Sequence, residues 1–480
     1  MFTYMFTEMK KAICILLALV MVAAVTVCCT KKGPDKDGTE SADINGVKVV
    51  DYNGADFTVI CRARDAAWGE LAIAAEDTDG TVLNDATFNR NSKVSSLYNI
   101  NLKIDEITDS ATQKGIFYNR LIESTMATDY LADLCIPGIL DACTLIPQNL
   151  FVDLQQVSEI DLSAEWWQQK INESVRLLNK QYFGFNSMTL NDKCDTYLLY
   201  FNKDNFDDNN IAYPYSYVDD GTWTNDKLLT VIKGYGADVN NDSVVDFDDK
   251  IGYTYLLNDT FFIGAGITAA RLDKDGYPYI VEFDNKISAV FDKIQSLSKQ
   301  SRWNMKAFGN TSELRQALDG QGLFASFHML HMMEIAASYQ SHIGLVPCPK
   351  YDETQTEYYS RAGYNGATCV AILNHVKNSE MSGVVTEAFA YWSEQIISPA
   401  FYEKLFTNRY TDDEESKRML DIVIKSEVID LDQVFQWGNM LVSIAASAST
   451  GGNASSAWAR MSSRAKTSCD KTISDYFSME

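Results

Sequence analysis

Phe57-Thr58-Val59-Ile60-Cys61 is a continuous apolar run of the kind a strand shows when both faces of its sheet are covered. The segments downstream of it set the fold class. The stretch Leu83 to Asn91 leads into Val94, Leu97 and Tyr98 at helical spacing, and Ile100-Asn101-Leu102-Lys103-Ile104 then reads as a second strand. A helical stretch from Thr112 to Met126 runs into a third strand, Tyr130 to Ile136, which Pro137-Gly138 ends. Strand, helix, strand, helix, strand is the rhythm of an open α/β sheet. Ligands of such sheets sit beyond the carboxyl ends of the strands, so the loops after Cys61 and Ile136 are the first places to look.

Upstream, Met9-Lys10-Lys11 precedes an apolar run from Ala12 to Val27 that stops at Cys28-Cys29. This run is shorter than the roughly 20 apolar residues a bilayer span needs and reads as an export signal of residues 1–29, the first eight belonging to an upstream start. A cysteine directly after the apolar segment, with a polar tail beyond, resembles the lipobox of bacterial lipoproteins. Either Cys28 or Cys29 is then the lipidated thiol, and an ordinary secretory signal is the other reading. Residues 30–48 are mostly Lys, Asp, Gly, Ser and Thr, which reads as a flexible tether.

With 480 residues, 46% hydrophobic and 22% charged, the chain has material for two or three domains. A net charge of -24 argues against nucleic acid and anionic lipid headgroups as partners, since both would be repelled at long range. Beyond the leader the cysteines are Cys61, Cys135, Cys143, Cys194, Cys348, Cys369 and Cys469. An odd number without repeated spacing reads as buried thiols, not as a disulfide framework.

Further along, Thr196 to Asp204 is another apolar strand, Gly322 to Phe327 and His342 to Val346 are two more, and Ile287, Val290, Phe291, Ile294 and Leu297 form a helical stripe. From Val385 onward the pattern is mostly helical. Four segments, Asn89-Arg90-Asn91, Trp166-Trp167-Gln168-Gln169, Tyr200-Phe201-Asn202-Lys203-Asp204 and Pro214 to Leu228, occur in an order and spacing that resemble the extracellular solute-binding proteins of carbohydrate ABC importers. That resemblance covers most of the chain after Asp56. It implies an α/β, two-lobed, periplasmic-binding-protein-like fold with discontinuous lobes joined by crossing hinge strands, near Asn186–Leu190, Ala362–Val370 and Pro399–Phe406. Lobe 1 is then residues 49–187 plus 366–398, and lobe 2 residues 188–365 plus 399–480. It also implies a monomer, lipid-anchored on the extracellular face of the membrane, that captures a sugar or oligosaccharide and delivers it to ABC permease subunits without a covalent step.

Pyranoses offer a flat apolar face and a rim of hydroxyls, which aromatic rings beside amides and carboxylates recognise. Trp68, after the first strand, and Trp437 are candidate platforms, with ordinary packing the other reading for each. Arg62, Arg64, Asp141, Tyr364, Asn365, Phe327 and His328 fall at strand ends or crossings where the resemblance implies ligand contacts. Trp166, Trp167 and Trp223 read as lobe structure, with Trp223 ahead of a helix capped by Thr224.

Counted from Asp238, side-chain oxygens recur at Asp238, Asn240, Asp242, Asp246 and Asp249, with the Val244 carbonyl at position seven. That is calcium-loop spacing with Asp at position twelve, and Ser243 replaces the usual glycine at position six. A structural Ca2+ and a plain acidic loop are the two readings. His328, His331 and Glu334 lie at helical spacing, so a metal-ion receptor is a second alternative, although three or four converging ligands are usual. A surface glycoside hydrolase or lyase is the first alternative. It draws no support from any nucleophile elbow, His-Glu-x-x-His or phosphate loop in the sequence.

Overall fold

The computed structural model describes residues 42–63, 71, 73–109, 111, 113–255, 258–300, 305–307, 310–330, 340–406 and 414–477. The leader, Cys28, Cys29, Arg64, Trp68, His331 and Glu334 lie outside the described residues.

Residues 42–49 are not a tether. They form a hairpin of β1 (Ala42–Ile44) and β2 (Val47–Val49), turned at Asn45 and Gly46, whose φ angles of 53° and 87° lie in the left-handed region. Val47 is buried, the Tyr98 hydroxyl donates to the Lys48 carbonyl at 2.9 Å, and Lys48 pairs with Glu380 at 2.5 Å. Packing against distant parts of the chain gives so short a hairpin the support it lacks alone.

In lobe 1, β3 (Ala55–Ala63) lies between β4 (Ile100–Thr108) and β5 (Leu134–Ile136), all parallel, as the alternation of apolar runs and helices implies. Residues from much later in the chain extend this layer antiparallel: Ala371 bridges Cys135, Thr368 bridges Gly138 and Val370 bridges Gly184. One face is covered by the helix Val82–Tyr98, which buries Leu83, Val94 and Tyr98 and ends at left-handed Asn99.

In lobe 2, β6 (Tyr197–Asn202) and β7 (Ile251–Tyr255) precede a small hairpin of β8 (Ala270–Leu272) and β9 (Pro278–Ile280). The main sheet is completed by β10 (Met305–Ala307), β11 (Gly322–His328) and β12 (Ile343–Val346), in the order β10-β7-β11-β6-β12. Only β6 opposes its neighbours' direction, and all six of its residues are buried, which explains its unbroken apolar sequence. A two-residue ladder of β13 (Ser360–Arg361) and β14 (Glu427–Val428) sits at the edge of this lobe.

Three passages join the lobes. The first, around residues 186–190, and the second, around 362–370, lie side by side, tied by a 2.9 Å hydrogen bond between the Thr368 and Thr189 hydroxyls. The third is helical, not a strand. A 28-residue helix, Ser379–Phe406, buries Val384, Ala388 and Phe389 in one core and Phe401 and Leu405 in the other, with Pro399 inside it. Arg90 braces this junction, donating to the Met188 carbonyl at 3.3 Å and the Ser393 hydroxyl at 3.2 Å.

Trp166 and Trp167 are structural, as expected: both indole N–H groups donate to the Glu387 carboxylate, at 2.7 and 2.9 Å. Trp223 is buried and donates to the Pro347 carbonyl at 2.8 Å, and Thr224 caps the following helix by accepting from the Lys227 amide at 3.2 Å. The seven described cysteines are all free and buried.

Burial pushes the Glu387 carboxyl up to about 7, against hydrogen bonds from the two indoles that pull it down. Its protonated form is therefore favoured in the folded chain. This contribution to stability is full below about pH 4.5 and is lost as pH rises through about 7, by on the order of 3 kcal/mol. Glu387→Gln is expected to flatten that part of the stability–pH curve, read from urea midpoints between pH 4 and 8.

Candidate functional site

The strand ends of both lobes touch the second passage, through the Gly138–Thr368 bridge on one side and the Gly366 amide donating to Asp195 on the other. From lobe 1 come Arg62, near the end of β3, and Asp141, in the first turn of the helix Ile139–Leu145 after β5. From lobe 2 come Tyr197 at the start of β6, His328 at the end of β11, and Asp259 just beyond β7. The second passage delivers Arg361, Tyr364 and Asn365 between them.

Arg361 is the centre of the lobe 2 group. Its guanidinium is buried, donates from Nε to Asp259 Oδ2 at 2.7 Å, and lies over the Tyr197 and Tyr364 rings at 4.5 and 5.3 Å. Burial opposes its charge, but Asp259 and the surrounding phenols outweigh that and raise its pKa further. Gln433 donates to the same Asp259 oxygen at 2.9 Å.

Beside it, His328 Nδ1 lies 2.5 Å from Asp195 Oδ1 and its Nε2 lies 3.1 Å from the Tyr197 hydroxyl. Burial pushes the Asp195 carboxyl up, but His328, the Gly366 amide and Arg361 together hold it below the usual carboxylate value. A Cβ at Gly363 would overlap this carboxylate, so glycine lets the second passage run directly against it. The Tyr364 hydroxyl donates to Asn439 Oδ1 at 3.3 Å, and burial raises its pKa. Tyr364, His328 and Asn439 are half-buried and Asn365 is exposed, so these present polar and aromatic surface.

On lobe 1, Arg62 is buried, lies across Gly138 and donates to the Ala111 carbonyl. Asp141 is wholly buried. One of its oxygens accepts from the Lys114 amide at 2.7 Å, the other has no hydrogen-bond partner, and burial raises its pKa. Along the rim the lobes touch: the Leu178 amide donates to the Gly276 carbonyl at 2.7 Å, and Tyr182 meets Tyr476 edge-to-face at 5.7 Å.

Two expected contact residues are placed elsewhere. Trp437 is 1% exposed, stacks on Phe435 and donates its indole N–H to Thr472 at 2.8 Å, so it presents no ring face to a ligand here. Phe327 points into the sheet interior, stacked on Tyr200 at 4.4 Å, because along β11 its neighbour His328 takes the opposite side. Arg361, Asp195, Tyr197, Asp259 and Asn439 are site residues that no sequence pattern singled out. The nearest signal was an arginine, Arg361, just ahead of the glycine-marked second passage.

In the acidic loop, Ser243 and Asn241 adopt left-handed φ angles of 63° and 61°, so the backbone supplies the position-six conformation without glycine. The side chains turn inward. Asp238 accepts from the Asn241 and Ser243 amides, Asn240 from Asp242, Asp242 from Val244, and Asp249 from Val239 and Asp246, while Asp246 accepts from Asp248. Among the described residues no group of three or more His, Cys, Asp or Glu is placed to hold a metal ion.

Removing one partner of a buried ion pair strands the other charge. Arg361→Met is therefore expected to destabilise the chain by about 3–5 kcal/mol, and urea unfolding checks it.

Neither the comparison with protein-family models nor that with curated protein sequences finds a match. Solved structures do match. The maltose/maltodextrin-binding domain MalE from Bdellovibrio bacteriovorus, bound to maltotriose, is 11% identical, with 87% of this chain and 100% of that one covered at a TM-score of 0.52. The galacto-N-biose/lacto-N-biose I-binding protein of the ABC transporter from Bifidobacterium longum, in complex with lacto-N-biose, is 13% identical over 89% of this chain and 98% of its own, at 0.54. A sugar transporter protein from Rhizobium etli in an open conformation is 10% identical over 86% and 99%, at 0.58. With its strand ends and passages arranged as described, the chain has the two-lobed α/β fold that these sugar-binding proteins share.

Proposed function

We propose that this chain is the extracellular receptor of an ABC importer, capturing a sugar or oligosaccharide between its lobes and presenting the loaded form to a membrane permease. The observation that carries this reading is the fold likeness, over most of the chain, to proteins solved with maltotriose and lacto-N-biose. The site chemistry agrees with it. Tyr364, Asn365, His328 and Asn439 offer aromatic surface beside amide and imidazole groups, the combination a pyranose with its hydroxyl rim requires. Binding works by favouring the arrangement in which both lobes contact the solute, a hinge equilibrium with no covalent step. A thiol at Cys28 or Cys29, once lipidated, would hold the receptor, a monomer, at the extracellular face of the cell membrane. No helix among the described residues is long and apolar enough to cross a membrane.

Calorimetric titration against a glycan panel tests the reading. Micromolar binding of at least one sugar without turnover supports it, whereas release of cleaved product assigns the site to a glycoside hydrolase or lyase. Tyr364→Ala is expected to weaken the captured sugar about tenfold, roughly 1.4 kcal/mol, and to lower the melting temperature as well, since its ring also packs on Arg361.

For the acidic loop we propose a structural Ca2+ held by Asp238, Asn240, Asp242, Asp246, Asp249 and the Val244 carbonyl, supported by their spacing and by the left-handed Ser243. The ion would supply positive charge that binds the carboxylates into one closed loop. Calcium is expected to raise the melting temperature by on the order of 3 °C over chelator-treated protein, and identical melts would remove the ion from the account.

A further inference from the structure

A crevice of about 620 Å³ lies between the lobes, lined by none of the residues of the strand-end group described above. Lobe 1 contributes Trp166 and Gln168, lobe 2 contributes Lys193, Tyr402 and Glu427, and the passages contribute Ser187 and Ser398. It adjoins the group around Arg361 through the β13–β14 ladder, which pairs Glu427 with Ser360, and through the short helix Asn191–Cys194. Asp192, inside that helix, accepts from Gln168 at 3.1 Å on the crevice side, whereas Asp195, just past its end, turns to His328.

Three polar atoms that belong to crevice-lining residues and are shielded from solvent have no hydrogen-bond partner: Lys193 Nζ, Glu427 Oε2 and Gln168 Oε1. Lys193 is 4% exposed and Glu427 2%. The nearest opposite charge to the Lys193 ammonium is Asp192, at 3.7 Å, beyond hydrogen-bond reach. Buried polar groups left in this condition are costly, and three on residues that line one cavity mark a place built to be completed by something else.

We infer that this crevice is a second small-molecule site, for a neutral polyhydroxyl ring of mono- or disaccharide size, bridging the two lobes. The chemistry of the unpartnered atoms selects the class. An ammonium can only donate and the Gln168 oxygen can only accept, so the occupant must offer both functions close together, as neighbouring hydroxyls do. Charge excludes strong anions and cations: the lining acids Glu165, Glu394 and Glu427 are matched by Lys170, Lys193 and Lys425, with Asp192 standing behind Lys193. The apolar requirement of a sugar ring is also met. The Trp166 indole N–H is committed to Glu387, so this half-buried side chain offers the crevice ring carbon only, and Tyr402 adds a second aromatic ring to the lining.

The class is argued from the crevice's own groups and is separable from the receptor reading. The test is titration of the purified chain with neutral hexoses, pentoses and their disaccharides at millimolar concentration, by calorimetry and by native mass spectrometry for stoichiometry. Three variants accompany the parent: Lys193→Met removes the ammonium, Ile424→Trp fills the crevice from a half-buried lining position, and Tyr364→Ala weakens the strand-end site about tenfold. Expected is a binding event whose affinity is unchanged in Tyr364→Ala, weakens about tenfold or more in Lys193→Met and disappears in Ile424→Trp. If Lys193→Met fails to fold, Ile424→Trp decides alone. Absence of any such event in the parent across the panel, or an event unchanged in Ile424→Trp, overturns the second site. A panel whose every event weakens in Tyr364→Ala and none of which changes in Ile424→Trp would leave the receptor reading intact while removing the crevice.

Discussion

A charge taken out of water must be neutralised where it is buried, and in this chain that constraint falls on Arg361. Its guanidinium enters lobe 2 with the second passage and is held by Asp259, by the Tyr197 and Tyr364 rings, and indirectly by Gln433. Four well-separated stretches of sequence meet on one cation. The passage cannot shift without breaking that set, so the lobe 2 ends of β6, β7 and β11 are fixed relative to the hinge. The polar rim formed by His328, Tyr364 and Asn439 inherits its geometry from the same anchor.

Much of the architecture was legible because strands covered on both faces write themselves as unbroken apolar runs and half-exposed strands as alternation. Phe57 to Cys61 and Tyr197 to Phe201 are of the first kind, Ile100 to Ile104 of the second, and all are in the observed sheets. Less legible was anything settled by distant partners. Asn45-Gly46 is a strong hairpin signal, yet the flanking strands are three residues each and gain their support from Tyr98 and from the helix Ser379–Phe406. The third passage read as one more strand, whereas a helix running through both cores carries it.

Site residues were harder, for a physical reason. Position in the chain reports how near a residue is to a strand end but not which way its side chain turns. Phe327 and His328 are neighbours, yet one is stacked against Tyr200 inside the sheet and the other reaches Asp195 and Tyr197. Trp437 follows left-handed Gln436, and its indole is turned onto Phe435 and Thr472. Arg361 went unremarked because a buried cation is defined by its counter-ion, and Asp259 lies about a hundred residues earlier. The paired tryptophans were read correctly as structure, but their shared acceptor, Glu387, could be found only in three dimensions.

The interleaving of the lobes also bears on how such a chain comes to be made. Lobe 1 takes strand-edge pairing from residues 368–371 and core packing from Val384, Ala388 and Phe389. A polypeptide delivered amino terminus first therefore cannot complete its first half until most of its length has emerged, and during that interval the apolar surface of β3, β4 and β5 waits without its cover. Synthesis of this molecule imposes a long unfinished period that a pair of consecutive, independently folding halves would avoid.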